Sequence, residues 1–207
     1  MKKLMVTLAI SVVFLMWILP VQAVTIPVSY DFNYSGSPTQ QSYTGVPYNK
    51  LYNSTDGYGW ASITNMEGRD RGAITGTMSP YSNLIRDLAC APKVDGKFTF
   101  NIDVPNGTYT VKLTFFDKSY TQNGMYVDAE GLNKVSNLSV AVNTLSVQSF
   151  PVTVGDGQLN LTFYGQGGSS SYWIINAIQV VPIPPSALLL GSGLLGMGLL
   201  GWRRKRS

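Results

Sequence analysis

The sequence predicts an all-β protein, an antiparallel β-sandwich flanked by an N-terminal signal helix and a C-terminal transmembrane helix. Three observations carry that expectation. The stretch from Lys97 to Asp117 alternates apolar and polar residues on two arms, several further short segments do the same between Gly, Asn and Asp turns, and long apolar runs occur only at the two ends. On the first arm Phe98, Phe100, Ile102 and Val104 alternate with polar residues, and on the second Tyr109, Val111, Leu113 and Phe115 do so. Pro105-Asn106-Gly107 lies between them, where Asn and Gly tolerate positive φ and Pro ends a ladder without needing an N–H. The expected element is a hairpin with one apolar face, which needs a second sheet to cover it.

The other elements follow in order. Val28 to Tyr34 predicts an opening strand with Val28, Tyr30, Phe32 and Tyr34 on one side. Ser35 to Gly96 is long, rich in Tyr, Asn, Ser and Gly and weakly periodic, with short strands expected near Trp60 to Ile63 and Leu84 to Leu88. Met125 to Ala129, Leu138 to Val142 and Leu145 to Val154 predict strands, and Gly155-Asp156-Gly157 turns the chain into Leu159, Leu161 and Phe163. Tyr172 to Val181 is the last strand, apolar on both faces and therefore covered on both sides. No repeat of 20 to 50 residues is present, which argues against a solenoid or propeller.

The ends have a different logic. Met1-Lys2-Lys3, the apolar run Leu4 to Leu19 and the small residues up to Ala23 have the pattern of a secretory signal peptide, 1–23, with cleavage by signal peptidase expected after Ala23. The domain then occupies 24–181. Beyond it, 182–207 holds a proline-rich element, an apolar stretch over 186–202 and a basic end over 203–206. As a helix the apolar stretch would span about 26 Å, just enough to insert in a membrane with the Arg cluster on the cytoplasmic side. Val181 to Ser207 resembles the PEP-CTERM sorting signal, in its Val-Pro-x-Pro variant, with Ile183-Pro184-Pro185 standing where a Glu between prolines is usual. The resemblance implies an exosortase-type sorting enzyme as partner, transient membrane insertion, and a place in the cell envelope, outer surface or extracellular matrix of a Gram-negative-type bacterium. A plain C-terminal anchor gives the same topology.

Charge and composition remove several functions. Of fifteen basic residues, six lie in the two end segments, which leaves nine bases against eleven acids in the domain. The basic character therefore belongs to targeting, and no nucleic-acid partner is expected. The sequence has no histidine, which excludes hydrolases that use imidazole as base, and with Cys90 as its one cysteine it excludes ordinary zinc sites. Cys90 is expected as a small buried thiol. No catalytic residue, metal ligand or cofactor is expected; calcium on carboxylates such as Asp31, Asp128 and Asp156 is the residual alternative, without EF-hand spacing to support it.

Candidate ligand contacts come from aromatic and acidic residues in loops. Asp56-Gly57-Tyr58-Gly59-Trp60 turns sharply about Tyr58, so Tyr58 and Trp60 either cap the core or face a ligand. Arg69-Asp70-Arg71 is expected to tie its loop to Asp87 or Arg86 through ion pairs in preference to clamping a ligand. Phe116 breaks the alternation beside Phe115, and with Asp117 and Tyr120 it forms a set that suits a sugar: rings cover the apolar face of a pyranose while carboxylates and amides take its hydroxyls. A Phe116 that merely covers a neighbouring loop fits equally well. If Asn106 and Asp156 turn at one end of the sheets, the Asp117 loop and the Ser169 loop meet at the other, and that rim is the candidate binding edge.

Taken together, the order DF, GYGW, RDR with LIRDL, the VPNGTY turn, FPVTVGDGQLNLTFYG and WIINAIQV resembles the malectin-like or galactose-binding-like β-sandwich domains that accompany polysaccharide-acting enzymes. The resemblance implies a jelly-roll fold and carbohydrate binding by loops at one end, with Asp117 and Tyr120 after the central turn and Tyr172 and Trp173 beside the final loop. It implies no esterase activity, since the serine nucleophile and histidine of an attached catalytic domain are absent. The expected function is that of a non-catalytic, secreted carbohydrate-binding protein whose partner is a polysaccharide or glycan. The alternatives are a self-associating structural matrix protein and a small hydrolase or lyase using paired carboxylates such as Asp56 and Asp117.

Overall fold

The computed structural model describes residues 26–75 and 81–183, so the signal segment, 1–23, and all of the sorting segment, 182–207, beyond Ile183 lie outside the described residues. The strands in chain order are β1 (Val28–Asn33), β2 (Thr44–Pro47), β3 (Tyr58–Trp60), β4 (Glu67–Asp70), β5 (Asp87–Pro92), β6 (Phe98–Asp103), β7 (Gly107–Phe115), β8 (Gln122–Ala129), β9 (Leu132–Val140), β10 (Ser146–Val154), β11 (Gln158–Gly165), β12 (Tyr172–Ile175) and β13 (Ala177–Pro182). They form an all-β antiparallel sandwich. One five-stranded sheet has the order β10-β7-β13-β1-β2, the second β3-β6-β11-β8-β9, and a three-stranded sheet, β12-β5-β4, completes the set. Only β1 and β2 pair in parallel among these strands. Among the described residues no helix is long and apolar enough to cross a membrane.

Period two decides which side chains meet. Tyr30 and Phe32 of β1, Val111 and Leu113 of β7, and Ile178 and Val180 of β13 face Phe100 and Ile102 of β6 and Leu159, Leu161 and Phe163 of β11 in one buried cluster. Each such side chain contributes about 1.5–3 kcal/mol when fully buried. The third sheet closes the end of the sandwich marked by Phe98 and Phe163, where Trp173 of β12 packs at ring distances of 5.4 and 5.6 Å.

The central hairpin expected over Lys97 to Asp117 is not formed. β6 pairs with β3 and β11, whereas β7 pairs with β10 and β13, so Val104 to Asn106 cross from one sheet to the other. Four Cα steps reach about 13 Å, enough to bridge sheets about 10 Å apart. Gly155 to Gly157 make the same crossing from β10 to β11, and the two arches lie side by side: Val104 N donates to Gly157 O at 3.0 Å and Asn106 Nδ2 to Gly155 O at 2.9 Å. Both arms have their apolar residues inward in either arrangement, so alternation does not distinguish a hairpin from an arch. A two-residue hairpin does join β8 to β9, through Glu130 and Gly131 at φ 51° and 72°.

Three further expectations change in detail. Tyr34 lies past the end of β1, is 42% exposed and stacks on Tyr48 at 6.0 Å, so it leaves the face that Val28, Tyr30 and Phe32 share. The strands expected near Trp60 and Leu84 are displaced to Tyr58–Trp60 and Asp87–Pro92. The closing strand splits at Asn176, where β12 joins the third sheet and β13 the first.

Asn176 is fully buried and serves both halves. Its Oδ1 accepts from Phe116 N at 2.6 Å and its Nδ2 donates to Asp87 O at 2.7 Å, so one side chain joins the end of β7, the start of β5 and the break between β12 and β13. Asn176→Ala orphans a buried N–H and a buried C=O, and is expected to cost about 2–3 kcal/mol. Urea unfolding at unchanged slope checks this.

Candidate functional site

The arches fix one end of the sandwich, and the loops after β7 and β11 emerge together at the other. There they enclose a cleft of about 480 Å³. Leu88 and Cys90 of β5 and Ile174 of β12 supply apolar lining, Arg69 and Arg71 come from β4 and the residue just past it, and Tyr120, Gln122, Ser169 to Ser171 and Tyr172 complete it. The volume falls in the range of small-molecule sites.

Alternation on β4 explains the arginines. Arg69 and Arg71 are two residues apart and both line the cleft, while Asp70 between them takes Arg86 in a two-pronged pair at 2.8 and 2.6 Å. The hydrogen bonds from Arg86 hold the Asp70 carboxyl down to about 2. The Asp70 to Arg86 pair is the tie anticipated for this loop.

Arg71 has a different partner. Its Nε and Nη2 donate to the two carboxylate oxygens of Asp117, each at 2.9 Å. Asp117 is fully buried, and its carboxylate also accepts from Ser119 N at 2.8 Å, Tyr120 N at 3.3 Å and Gln122 Nε2 at 2.9 Å. The backbone bonds shape the turn that presents Tyr120, which is 61% exposed with the Arg71 guanidinium over its ring at 5.1 Å. Across the cleft Arg69 lies over Tyr172 at 5.9 Å and is paired with Glu67. Each ring is thus backed by a guanidinium whose charge a carboxylate balances.

The hydroxyl-rich loop is pinned. Asn123 N bonds Ser170 Oγ at 3.0 Å, Asn123 Nδ2 bonds Ser169 Oγ at 2.9 Å, and Ser170 N bonds Asn123 Oδ1 at 3.1 Å. Lys93 Nζ donates to the carbonyls of Asn123 and Gly167, its stem lying against Gly165, where a Cβ would fall 2.3 Å from Lys93 Cγ. Gln122 Oε1 is buried and has no partner, an acceptor left over beside the cleft.

The structure brings together Asp117, Tyr120 and Tyr172, and separates them from the other expected contacts. Trp60 is fully buried among Phe32, Phe100, Phe163 and Trp173, at ring distances of 5.0 to 5.8 Å. Trp173 is 1% exposed in the same cluster. Phe116 is fully buried in a second cluster with Ile74, Leu84, Ile85 and Ala177, outside the first sheet. These three rings are therefore core residues and not ligand contacts: bulky rings at the end of a sandwich fill it before they line it. Tyr58 pairs with Ile102 at the arch end, packed on Tyr30 at 4.6 Å beneath Lys50, far along the strand from the cleft.

The carboxylate pair Asp56 and Asp117 does not share a cleft. Asp56 is at the arch end, held by Lys50 Nζ at 2.5 Å beside Gly57, whose carbonyl accepts from Asp103 N. Of the carboxylates weighed for calcium, Asp128 is taken by Lys97, Asn133 and Tyr164, and Asp156 accepts from Gln158 N. Among the described residues no group of three or more His, Cys, Asp or Glu is placed to hold a metal. Cys90 is buried as expected, and burial pushes its thiol up to about 12, so it lines the cleft as an unreactive apolar group. Arg69, Arg71 and Gln122 were absent from the predicted contact set, although the two-residue spacing of the arginines on an extended segment signals a shared face.

Comparison with known proteins fixes the relationship. Residues 30–181 match the model of the family described as Beta-agarase/YXIM esterase-like, galactose-binding domain-like. The chain belongs to this family. Beta-agarase A of Zobellia galactanivorans is 35% identical over 170 residues, covering 79% of this chain and 29% of that protein. The uncharacterized esterase YxiM of Bacillus subtilis is 30% identical over 154 residues, covering 74% of this chain and 37% of that protein. The chain thus spans about a third of the length of these curated relatives. The crystal structure of YxiM from Bacillus subtilis superposes with a TM-score of 0.54 at 27% identity, over 76% of this chain and 40% of that one. The ANX1 ectodomain from Arabidopsis thaliana shares the fold alone, with a TM-score of 0.55 at 16% identity over 76% of this chain and 42% of its own.

Proposed function

We propose that this galactose-binding-like domain is a non-catalytic glycan-binding module that holds a polysaccharide chain in the cleft between Arg71–Tyr120 and Arg69–Tyr172. The observation that carries the reading is the pair of guanidinium-backed tyrosines across a cleft edged with serine hydroxyls. The rings offer apolar faces to a pyranose, and Gln122, the arginines and Ser169 to Ser171 offer hydrogen bonds to its hydroxyls. The Asp117 carboxylate is spent on Arg71 and the turn, so its part is to position and not to react.

A monosaccharide of about twelve heavy atoms at about −0.3 kcal/mol each binds near the millimolar range, so retention depends on a repeating polymer and many copies. The relation to an agarase and an esterase, and the targeting patterns at both ends of the sequence, support a place on exported polysaccharide, with sorting to the envelope or matrix through the tail. Affinity electrophoresis in gels cast with agarose, pectin or other polysaccharides tests this. At least one polymer is expected to retard the protein, Tyr120→Ala is expected to weaken retardation about tenfold while leaving the Tm within a few degrees, and free migration in every gel overturns the proposal.

A further inference from the structure

Away from the cleft, the parallel pairing of β1 and β2 brings two turns together. Parallel strands end on the same side, and Asn33 and Pro47 are register partners, so the turns that follow them lie next to each other. The residue after each partner is a tyrosine. Tyr34 and Tyr48 stack with ring centres 6.0 Å apart and planes 11° from parallel. Each ring stands on a closed turn: Ser37 N donates to Tyr34 O at 3.0 Å, with Gly36 at φ 81°, and Lys50 N donates to Pro47 O at 2.9 Å.

The stack has an inner and an outer member. A Cβ on Gly68 of β4 would fall 2.4 Å from Tyr48 Cδ1, so the Tyr48 ring lies against bare backbone and is held there. Tyr34, 42% exposed, is the outer ring. Beside the rings runs an open groove of about 490 Å³ with Ser35, Thr39 and Asn49 along it. Its floor is tight: Thr39 Oγ1 donates to Asn33 Oδ1 at 3.1 Å over Gly45, where a Cβ would fall 2.4 Å from the first oxygen and 2.6 Å from the second. Among the described residues no hydrogen bond takes up the side chains of Ser35 and Asn49.

We propose that this groove is a second glycan subsite, and that it takes an uncharged pyranose. The tyrosine pair offers an apolar surface to the sugar ring, while the Asn49 amide and the Ser35 and Thr39 hydroxyls offer donors and acceptors to its hydroxyl groups. No charged residue lines the groove, so a uronate or a sulfated sugar would enter it without a counter-charge. The proposal rests on the glycan-binding reading for its class of ligand, and shares no residue with the cleft.

The placement of the groove gives it a use. Asp31 of β1 pairs with Ala177, and Ala177 with Thr114, so the end of β1 emerges beside the end of β7, at the same end of the sandwich as the cleft. On the edge strand β4, Gly68 bears on Tyr48 while Arg69, the next residue, lines the cleft with Arg71. Groove and cleft thus back onto opposite faces of one strand. A polymer that crosses this edge meets both, and a unit held in the cleft raises the local concentration of its neighbours at the groove.

The test is an NMR titration of the labelled full chain in detergent with D-galactose, D-glucose and D-galacturonate, repeated with Tyr34→Ala and Tyr120→Ala. At least one of the two uncharged sugars is expected to shift the Tyr34 and Asn49 signals, at concentrations about fivefold above those that shift Tyr120 and Ser170, because an open groove touches less of the sugar. Galacturonate leaves the groove unmoved. Tyr34→Ala loses the groove shifts, keeps those of the cleft and holds its Tm within a few degrees, whereas Tyr120→Ala loses the cleft shifts and keeps those of the groove. A groove silent to both uncharged sugars overturns the proposal whether or not the cleft responds, as do groove shifts that survive Tyr34→Ala or that galacturonate produces equally well. A groove that responds beside a silent cleft upholds it and sinks the cleft reading instead.

Discussion

Arg71→Ala is expected to destabilise the domain by about 3–5 kcal/mol and to abolish glycan retention in the same step. Asp117 is fully buried and Arg71 is its counter-charge, so truncation leaves a carboxylate in a dry site with only Ser119 N, Tyr120 N and Gln122 Nε2 around it. The Tyr120 ring loses its guanidinium backing as well. Arg71→Lys does not rescue this, since a single ammonium cannot match both carboxylate oxygens. Arg71→Leu combined with Asp117→Asn is expected to recover much of the stability and little of the binding, because it removes the orphaned charge but not the loss behind the ring. Chemical unfolding of the three variants beside their retardation on polysaccharide separates the two effects.

Trp173→Ala is expected to cost about 3–5 kcal/mol through a cavity among Trp60, Phe98 and Phe163. Binding falls with it, because the neighbouring Tyr172 stands on the same short strand. The diagnostic is the ratio: at a temperature well below its melting point Trp173→Ala retains more of its glycan affinity than Tyr120→Ala, although its Tm is much lower. A variant with unchanged Tm and no binding would place Trp173 at the ligand and contradict its burial.

The inward faces of this fold were legible because alternation depends only on the pleat. Phe98, Phe100, Ile102, Val111 and Leu113 point to the core whichever strands they pair with. The pairing itself was not legible, since Val104 to Asn106 has the same residues whether it closes a hairpin or spans two sheets. β9 escaped detection in its first half because an edge strand with Asn133, Ser136 and Asn137 outward carries little apolar rhythm. The split of the last strand depends on Asn176, whose partners Phe116 N and Asp87 O lie 60 and 89 residues away.

The candidate site was legible as a place more than as a set of side chains. Counting turns put the Asp117 and Ser169 loops at one rim, and the structure joins them there. Aromatic residues were then taken as ligand contacts by type, which favours rings that are in truth among the largest fully buried side chains, such as Trp60, Trp173 and Phe116. The arginines were weighed as structural ties, and Arg71 proves to be both a tie to Asp117 and a wall of the cleft. No local pattern separates those roles, because each depends on a partner 46 residues away in the chain.

The most direct measurement is a titration of isotopically labelled protein with oligosaccharides of the polymer that retards it, followed by amide and side-chain NMR shifts. Perturbations are expected to cluster on Arg69, Arg71, Tyr120, Gln122, Ser169 to Ser171 and Tyr172, with the arch end around Asn106 and Asp156 silent. Shifts concentrated at the arches or on the outer face of a sheet, with the cleft residues unmoved, would contradict the account.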